Sequence, residues 1–138
     1  MNLIRVALDV PVARLFDYRC DDRTAQIGAR VLVPFGRQKL IGIIVARPDT
    51  SEVAETKLKR AITVLDAEPL LGHADLRLLE FAADYYVHPL GAVIMATVPA
   101  ALRRVRSREQ TPAAYALTAS GIATDVATLP PRARAQRQ

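Results

Sequence analysis

Residues 29–47, ARVLVPFGRQKLIGIIVAR, decide the fold class that the sequence predicts. Two runs rich in Val, Leu and Ile, residues 29–35 and 39–47, are separated only by residues 36–38. This composition is typical of β-strands, and a connection this short joins antiparallel neighbours. The stretch therefore predicts a β-hairpin at the centre of the domain.

Three more segments of similar composition predict strands around the hairpin, at 3–9, 15–20 and 61–66. Residues 48–57, PDTSEVAETK, are polar and predict an exposed loop. Short strands joined by turns favour a small, mostly antiparallel, barrel-like sheet.

A helical period begins at residue 73. Apolar side chains recur at spacings of three and four, and further apolar residues widen the stripe: Leu76, Leu79, Ala83 and Tyr86, then Leu78, Phe81, Ala82 and Tyr85. This pattern predicts one main amphipathic helix over 73–87 that packs on the sheet, which makes the fold class α+β. Pro89 and Gly91 end the helix, and residues 92–98 fit either a short helix or a strand.

Charge is distributed unevenly along the chain. The net charge is +5, yet residues 1–102 hold twelve basic and twelve acidic side chains, so the whole excess lies in residues 103–138. If the neutral part binds nucleic acid, it is expected to use a small local site rather than a long groove along many phosphates. The basic tail is expected to add only a salt-sensitive component.

The sequence divides after residue 102. Residues 103–112, RRVRSREQTP, have the composition of a linker, and residues 114–121, AYALTASG, predict a short strand and a turn. We predict a domain over 1–102, a linker over 103–112 and an incomplete structure over 113–138. Because little apolar sequence remains to be buried after the linker, residues 103–138 are expected to be mobile.

Residues with catalytic or metal-binding chemistry are scarce. The single cysteine, Cys20, excludes an internal disulfide or a cysteine-based zinc cluster and fits a reducing compartment. His73 and His88 have no Ser or Cys at a local spacing, and no glycine pattern fits a phosphate-binding loop. No signal peptide or uninterrupted apolar span is recognised. We therefore expect a cytoplasmic chain that is not an enzyme, holds no metal or cofactor and enters no membrane.

Three short patches are candidate binding residues, although each has an ordinary structural explanation. Residues 16–18, FDY, place two rings on one strand face and a carboxylate on the other, and such rings most often belong to the core. Residues 33–36, VPFG, end a strand with a glycine that lets a ligand or another backbone come close. Residues 57–60, KLKR, form a charge run of the kind that is usually just solvated.

Together with six other motifs, these patches resemble one family. The nine matching stretches are VALDVP at 6–11, FDY at 16–18, GARV at 28–31, VPFG at 33–36, KLK at 57–59, VLD at 64–66, AADYY at 82–86, HPLG at 88–91 and LR at 102–103. They resemble the N-terminal 3′-end DNA-binding domain of the primosomal protein N′ family, the PriA replication-restart helicases. Residues 113–121 resemble, more weakly, the first strand of the winged-helix domain that follows in that family.

The resemblance implies a function and a site. In that family the domain captures the 3′-terminal nucleotide of a DNA strand, such as the nascent leading strand at a stalled fork, and so positions primosome reassembly. Carried over by motif, the 3′-terminus-binding residues are Phe16, Asp17, Tyr18, Gly36 and Lys59.

Each of these residues has a role that its chemistry allows. Asp17 would accept a hydrogen bond from a free 3′-hydroxyl and repel a 3′-phosphate. Tyr18 or Phe16 would stack on the terminal base, Gly36 would admit the sugar, and Lys59 would pair with the penultimate phosphate. Asp17 and Lys59 are both expected at the surface.

The resemblance also implies what this chain lacks. The parent protein would be an ATP-dependent 3′-to-5′ helicase with a zinc-binding region, so ATP and zinc are expected to bind only to the remainder of that protein. The expected partners are DNA with a free 3′-OH end at forks, single-stranded-DNA-binding protein and other primosome proteins. The domain is expected to be a nucleoid-associated monomer. Two other interpretations stay open: a β-rich module that binds a peptide, and a purely structural domain.

Overall fold

The computed structural model describes residues 2–104 and 116–125. Spatial contacts divide the chain into two units, Met1–Arg106 and Ser107–Gln138. The division falls inside the stretch predicted as a linker, and the finer boundaries at 102 and 112 stay a prediction.

The first unit contains five strands and two main helices. They are β1 (Leu3–Ala7), β2 (Phe16–Arg19), β3 (Arg30–Phe35), β4 (Gln38–Ala46), β5 (Thr63–Val64), α1 (His73–Tyr85) and α2 (Leu90–Thr97). Short 3-10 turns lie at Glu55–Lys57 and Ala100–Leu102. The order of the strands in the sheet is β2-β1-β4-β3-β5, and every neighbouring pair is antiparallel. The predicted α+β fold with a small antiparallel sheet is confirmed.

The β3–β4 hairpin is confirmed, with a shorter turn than predicted. Phe35 pairs with Gln38, so the turn has two residues, Gly36 and Arg37, rather than three. Gly36 has φ +58°, a conformation that glycine adopts without steric cost and that two-residue hairpin turns require at their first position.

The sheet curls until its two ends meet, which gives the barrel-like form. The Arg19 amide, at the end of β2, donates to the Lys59 carbonyl over 2.9 Å, and the Ala61 amide donates back to the Arg19 carbonyl over 2.8 Å. These bonds join β2 to the segment that leads into β5. Lys59 is thereby held beside β2 although 40 residues separate it from Arg19 in sequence.

Two apolar cores lie on opposite sides of the sheet. Alternate residues of the strands fill the inside of the barrel, including Ile4, Val6, Tyr18, Val31, Val33 and Ile44. The outer core joins the sheet to the helices through Ala7, Ile43, Leu76, Ile94, Met95 and Val98. Because both faces are covered, the central strands are apolar on both sides.

The helix that lies directly on the sheet is α2, and not the helix at 73–87 as predicted. α2 contacts β1 and β4, while α1 packs mainly on α2. Gly91 allows the close approach, because a Cβ atom at this position would lie 2.1 Å from the Leu8 carbonyl oxygen. The alternatives left open for residues 92–98 are thereby resolved as a helix.

Only one stripe of α1 is buried. Leu76 and Ala83 are each 5% exposed, whereas Leu78, Phe81, Tyr85 and Tyr86 are 65–75% exposed. The prediction that Tyr86 belongs to the packed stripe and that the other three widen it is wrong, because α1 meets one neighbouring helix and not the broad surface of a sheet. Phe81 and Tyr85 instead stack on each other with ring centres 5.9 Å apart.

In the second unit the described residues form a short helix, α3 (Ala119–Ile122). The Thr118 hydroxyl accepts a hydrogen bond from the Gly121 amide and caps α3. The short strand and turn predicted over 114–121 are wrong where they can be compared, since residues 116–118 belong to no strand and a helix begins at Ala119. Residues 105–115 and 126–138 lie outside the described residues, and with them most of the predicted winged-helix start and of the tail expected to be mobile.

None of the helices in the described ranges has the length and apolar character that crossing a membrane requires.

Candidate functional site

An open cavity of about 700 Å³ lies where β2, the β3–β4 turn and the loop before β5 meet. All five residues that the resemblance implied for the 3′-terminus site line it: Phe16, Asp17, Tyr18, Gly36 and Lys59. They come from three separate parts of the sequence. Closure of the sheet brings them together, since it places the 57–59 segment against β2.

Asp17 is held by two other side chains. Arg5 lies directly opposite it across the β1–β2 pair and donates from Nε to Oδ1 over 2.7 Å and from Nη2 to Oδ2 over 3.0 Å. The Ser51 hydroxyl donates to Oδ2 over 2.7 Å. The expectation that Asp17 is a surface residue is wrong, because only 7% of its side chain is exposed.

These contacts keep the Asp17 carboxyl ionised. The hydrogen bonds from Arg5 lower its pKa below the ordinary value, burial opposes this effect, and the bond from Ser51 adds to the lowering. Arg5 is 36% exposed and also lines the cavity. Asp17 is therefore a fixed carboxylate in the wall of the cavity, with its charge compensated by an arginine.

The two rings of the FDY motif have different surroundings. Tyr18 is 4% exposed, and its hydroxyl donates to the Pro34 carbonyl over 3.2 Å. Its ring belongs to the inner core, so burial raises the pKa of the phenol and leaves no face for a base. Of the two rings predicted to stack on a base, Phe16 is therefore the one whose position in the structure allows it.

Phe16 is half-buried and already has two partners. Its ring meets Phe35 edge to face with centres 5.2 Å apart, and the Arg14 guanidinium lies 5.2 Å from its centre. Arg14 is exposed and lines the cavity. Phe16 and Arg14 together form a cationic platform in the lining of the cavity.

Gly36 borders the cavity with open space in front of it. No atom lies within 4 Å of the position that a Cβ would occupy, so the turn presents bare backbone to the cavity. This arrangement is the close approach that the VPFG motif suggested.

Lys59 is exposed, as expected, and so is Lys57 at the same wall. Neither forms an ion pair with any residue in the described ranges. The lining contains four basic side chains, of Arg5, Arg14, Lys57 and Lys59, against the two acidic ones of Asp17 and Glu52. A positive cavity thus lies in a domain with no net charge.

Comparison with known proteins shows the family of this chain. The sequence profile of the PriA 3′ DNA-binding domain (3′BD) matches residues 5–99. The chain belongs to this family. It is therefore the DNA-binding domain type found in replication restart proteins, and DNA is its partner.

Relatives in several bacteria support the family membership. The chain is 46% identical over 108 residues to the replication restart protein PriA of Haemophilus influenzae, a match that covers 78% of this chain and 15% of that protein. It is 32% identical over 133 residues to PriA of Treponema pallidum (91% and 20%) and 30% identical over 115 residues to PriA of Bacillus subtilis (79% and 14%). The chain thus spans no more than a fifth of the length of these relatives.

Sequence reasoning missed three residues that shape the cavity: Arg5, Arg14 and Ser51. Arg5 could have been found by pairing the predicted strands 3–9 and 15–20, because the β1–β2 register sets it opposite Asp17. Ser51 gives no such signal, since it lies in a loop whose path depends on tertiary contacts.

Proposed function

We propose that this domain captures the 3′-terminal nucleotide of a DNA strand in the cavity and prefers a free 3′-hydroxyl. The observation that carries the proposal is that five residues from three motifs line one positive cavity around a fixed carboxylate. Family membership supports DNA as the ligand, and the chemistry of the cavity supports a strand end over continuous DNA.

Asp17 supplies the preference for the end. An ionised carboxylate can only accept hydrogen bonds, so it suits a hydroxyl that donates one. A 3′-phosphate or a continuing strand brings acceptor oxygens against Asp17 and offers no donor. The lowered pKa of Asp17 keeps the carboxylate ionised at neutral pH.

Phe16 and Arg14 receive the terminal base. Stacking on an aromatic ring or a guanidinium is worth roughly 1–3 kcal/mol per base and does not depend on base identity. No Asn or Gln is among the lining residues, so the amide groups that usually read an adenine edge are missing from the described cavity. Arginine usually reads guanine, but Arg5 is already bound to Asp17 and Arg14 lies over a ring of the lining. We therefore expect little discrimination between the four bases.

Gly36 and Lys59 accommodate the backbone. The bare turn at Gly36 leaves room for the terminal sugar, and Lys59 supplies a point charge to the penultimate phosphate. Lys57 extends the positive wall toward the next phosphate.

The same proposal extends to the larger protein. The domain holds the nascent leading strand at a stalled fork while an ATP-dependent helicase, with its own zinc region, occupies the rest of a replication restart protein. Single-stranded-DNA-binding protein and other primosome proteins join it there. The domain itself acts as a cytoplasmic, nucleoid-associated monomer, needs no cofactor and catalyses no reaction.

A competition assay tests the proposal. A labelled single strand with a 3′-hydroxyl is displaced by unlabelled strands that differ only at the 3′ end, which carries either a hydroxyl or a phosphate. We expect the hydroxyl strand to compete at a concentration at least tenfold lower, since roughly 1.5 kcal/mol or more is at stake in a hydrogen bond to a charged group. Equal competition would remove the proposed role of Asp17.

A matched pair of aromatic variants tests the platform. Phe16→Ala is expected to weaken binding of the 3′-hydroxyl strand, whereas Phe81→Ala, which removes an equally large ring from the exposed face of α1, is expected to leave it unchanged. A peptide-binding module or a purely structural domain would show no difference between the DNA ends in the competition assay and no effect of Phe16→Ala on DNA binding.

A further inference from the structure

The number of hydrogen bonds that Asp17 already accepts has a consequence for what it can bind. A carboxylate has about four acceptor positions, two on each oxygen. Arg5 Nε occupies one on Oδ1, while Arg5 Nη2 and the Ser51 hydroxyl occupy both on Oδ2. One position remains, on Oδ1.

We propose that Arg5 and Ser51 are positioning residues, which hold Asp17 so that it accepts one further hydrogen bond and no more. This inference rests on the proposed function, because the donor of that last bond is the 3′-hydroxyl of the bound strand. A single acceptor position in a fixed direction fits a group with one proton to donate.

The charges around Asp17 support selection by hydrogen bonding over selection by charge. Arg5 compensates the carboxylate, and the remaining lining is positive because of Arg14, Lys57 and Lys59. Net charge at the cavity would therefore attract a terminal phosphate and not repel it. Discrimination between the hydroxyl and phosphate ends has to come from the local contact at Oδ1. There the phosphate oxygens are acceptors and cannot donate a hydrogen bond to the carboxylate.

Ser51 has a second contact that makes it suitable for this role. Its hydroxyl accepts a hydrogen bond from the Val53 amide over 3.1 Å while it donates to Asp17. Glu52 and Val53 line the cavity, so Ser51 ties this wall to the carboxylate. The loop that looked like an ordinary polar connection thus takes part in shaping the site.

The test compares two strands whose ends carry either a 3′-hydroxyl or a 3′-hydrogen, because these ends have the same charge and nearly the same size. The preference for the hydroxyl is measured by titration of each strand, labelled at its 5′ end, with the wild-type domain and with variants. Ser51→Ala is expected to lower this preference at least about threefold, as loss of one hydrogen bond predicts. Ser51→Thr keeps the hydroxyl and is expected to restore it.

Matched controls separate positioning from general effects. Thr50→Ala removes a hydroxyl from the same loop, next to Ser51, and should leave the preference unchanged. Arg5→Gln should lower the preference, whereas Arg60→Gln removes the same charge from the exposed pair with Asp21 and should lower only the overall affinity.

The outcomes are distinct. A wild-type domain that binds both ends equally would overturn the proposed function itself. If the wild type prefers the hydroxyl and Asp17→Asn loses that preference, but Ser51→Ala and Arg5→Gln both keep it, the proposed function stands and the positioning role is wrong. Ser51 lies outside the sheet and its replacement removes no strand pairing, so Ser51→Ala alone decides the matter if Arg5→Gln does not fold.

Discussion

Two arginine–aspartate pairs in this domain have the same chemistry and different surroundings. Arg30 and Asp66 join β3 to the segment after β5, and each side chain is 16% exposed. Arg5 and Asp17 join β1 to β2 at the wall of the cavity, with exposures of 36% and 7%. The first pair lies outside the cavity lining and the second lies within it.

The two aspartates differ in how many hydrogen bonds their carboxylate oxygens already accept. Arg30 makes four contacts with Asp66: the Arg30 backbone amide donates to Oδ2, its Nε–H is shared between both carboxylate oxygens, and its Nη2 donates to Oδ1. Nη1 of the same arginine donates to the Leu102 carbonyl over 2.8 Å, so this pair also holds the end of the domain. Each oxygen of Asp66 is thus contacted twice by N–H groups of Arg30, whereas Oδ1 of Asp17 is contacted only once.

The residue types of an ion pair do not by themselves make it part of a binding site. Burial, partners and unused hydrogen-bonding capacity distinguish a pair that holds the fold from one that is poised to bind. Both aspartates have a lowered pKa, so titration behaviour alone would not separate them.

The largest effect is expected from breaking the pair that serves the fold. Asp66→Ala leaves a largely buried guanidinium without its partner, which we expect to lower the free energy of unfolding by about 2–4 kcal/mol in urea denaturation. Asp21→Ala, at the exposed pair with Arg60, is the control and should cost less than about 1 kcal/mol. Similar small losses of unfolding free energy in both variants would show that the Arg30–Asp66 pair does not hold the fold.

At the Arg5–Asp17 pair we expect a smaller effect on stability and a larger effect on DNA binding than at the Arg30–Asp66 pair. Asp17→Asn keeps the shape of the side chain but removes the charge, so affinity for a 3′-hydroxyl strand should fall at least about tenfold. The melting temperature should change less than in Asp66→Asn, because Arg5 is exposed enough to be hydrated. Loss of folding in Asp17→Asn with no such loss in Asp66→Asn would reverse the assignment of roles.

Both aspartates should respond to pH, because the pKa of each is lowered below its ordinary value. Hydrogen bonds from Arg5 lower the pKa of Asp17; burial raises that of Asp66, but hydrogen bonds from Arg30 outweigh it and the net shift is downward. A carboxyl whose folded pKa is depressed stabilises the fold above its unfolded pKa of about 3.9 and loses this contribution as pH falls through the folded value.

The 3′-hydroxyl preference should accordingly persist at pH 5 in the wild type and disappear only in more acidic solution. In Arg5→Gln the pKa of Asp17 rises, so the preference should begin to fall at a higher pH than in the wild type. Arg60→Gln provides the reference for loss of one positive charge. Identical pH profiles for Arg5→Gln and the wild type would show that Arg5 does not control Asp17.

The smallest effect is expected from a cation that belongs to neither pair. Lys59→Ala should weaken binding only about threefold and reduce its dependence on salt by roughly one phosphate contact. The ratio between 3′-hydroxyl and 3′-phosphate strands should stay the same, since Lys59 does not touch Asp17. A changed ratio would mean that Lys59 helps to read the end.

Much of the fold could be predicted because its signals are local. The two runs rich in Val, Leu and Ile on either side of residues 36–38 are sufficient to predict the hairpin, and a spacing of three and four predicts α1. The position of α2 could not be predicted from its own apolar sequence, because the contact depends on Gly91 meeting the backbone at Leu8. Periodicity describes one element and does not say which neighbour it meets.

The candidate site was predicted through motifs rather than geometry. Resemblance brought Phe16, Gly36 and Lys59 together before their distances were known, but it could not tell that Tyr18 is in the core. Nor could it tell that Asp17 is buried beside Arg5, because the partner of a charged side chain depends on strand register and loop path.

The most direct measurement follows the amide signals of the isotope-labelled domain by NMR while a short strand with a 3′-hydroxyl is added. We expect shifts at Phe16, Asp17, Gly36 and Lys59, together with the side-chain Nε of Arg5, and none at Arg30 or along the exposed face of α1. The same strand with a 3′-phosphate should produce these shifts only at much higher concentration. Shifts centred on α1 or on Arg30, or equal responses to both strands, would contradict the claim that this cavity reads the 3′ end.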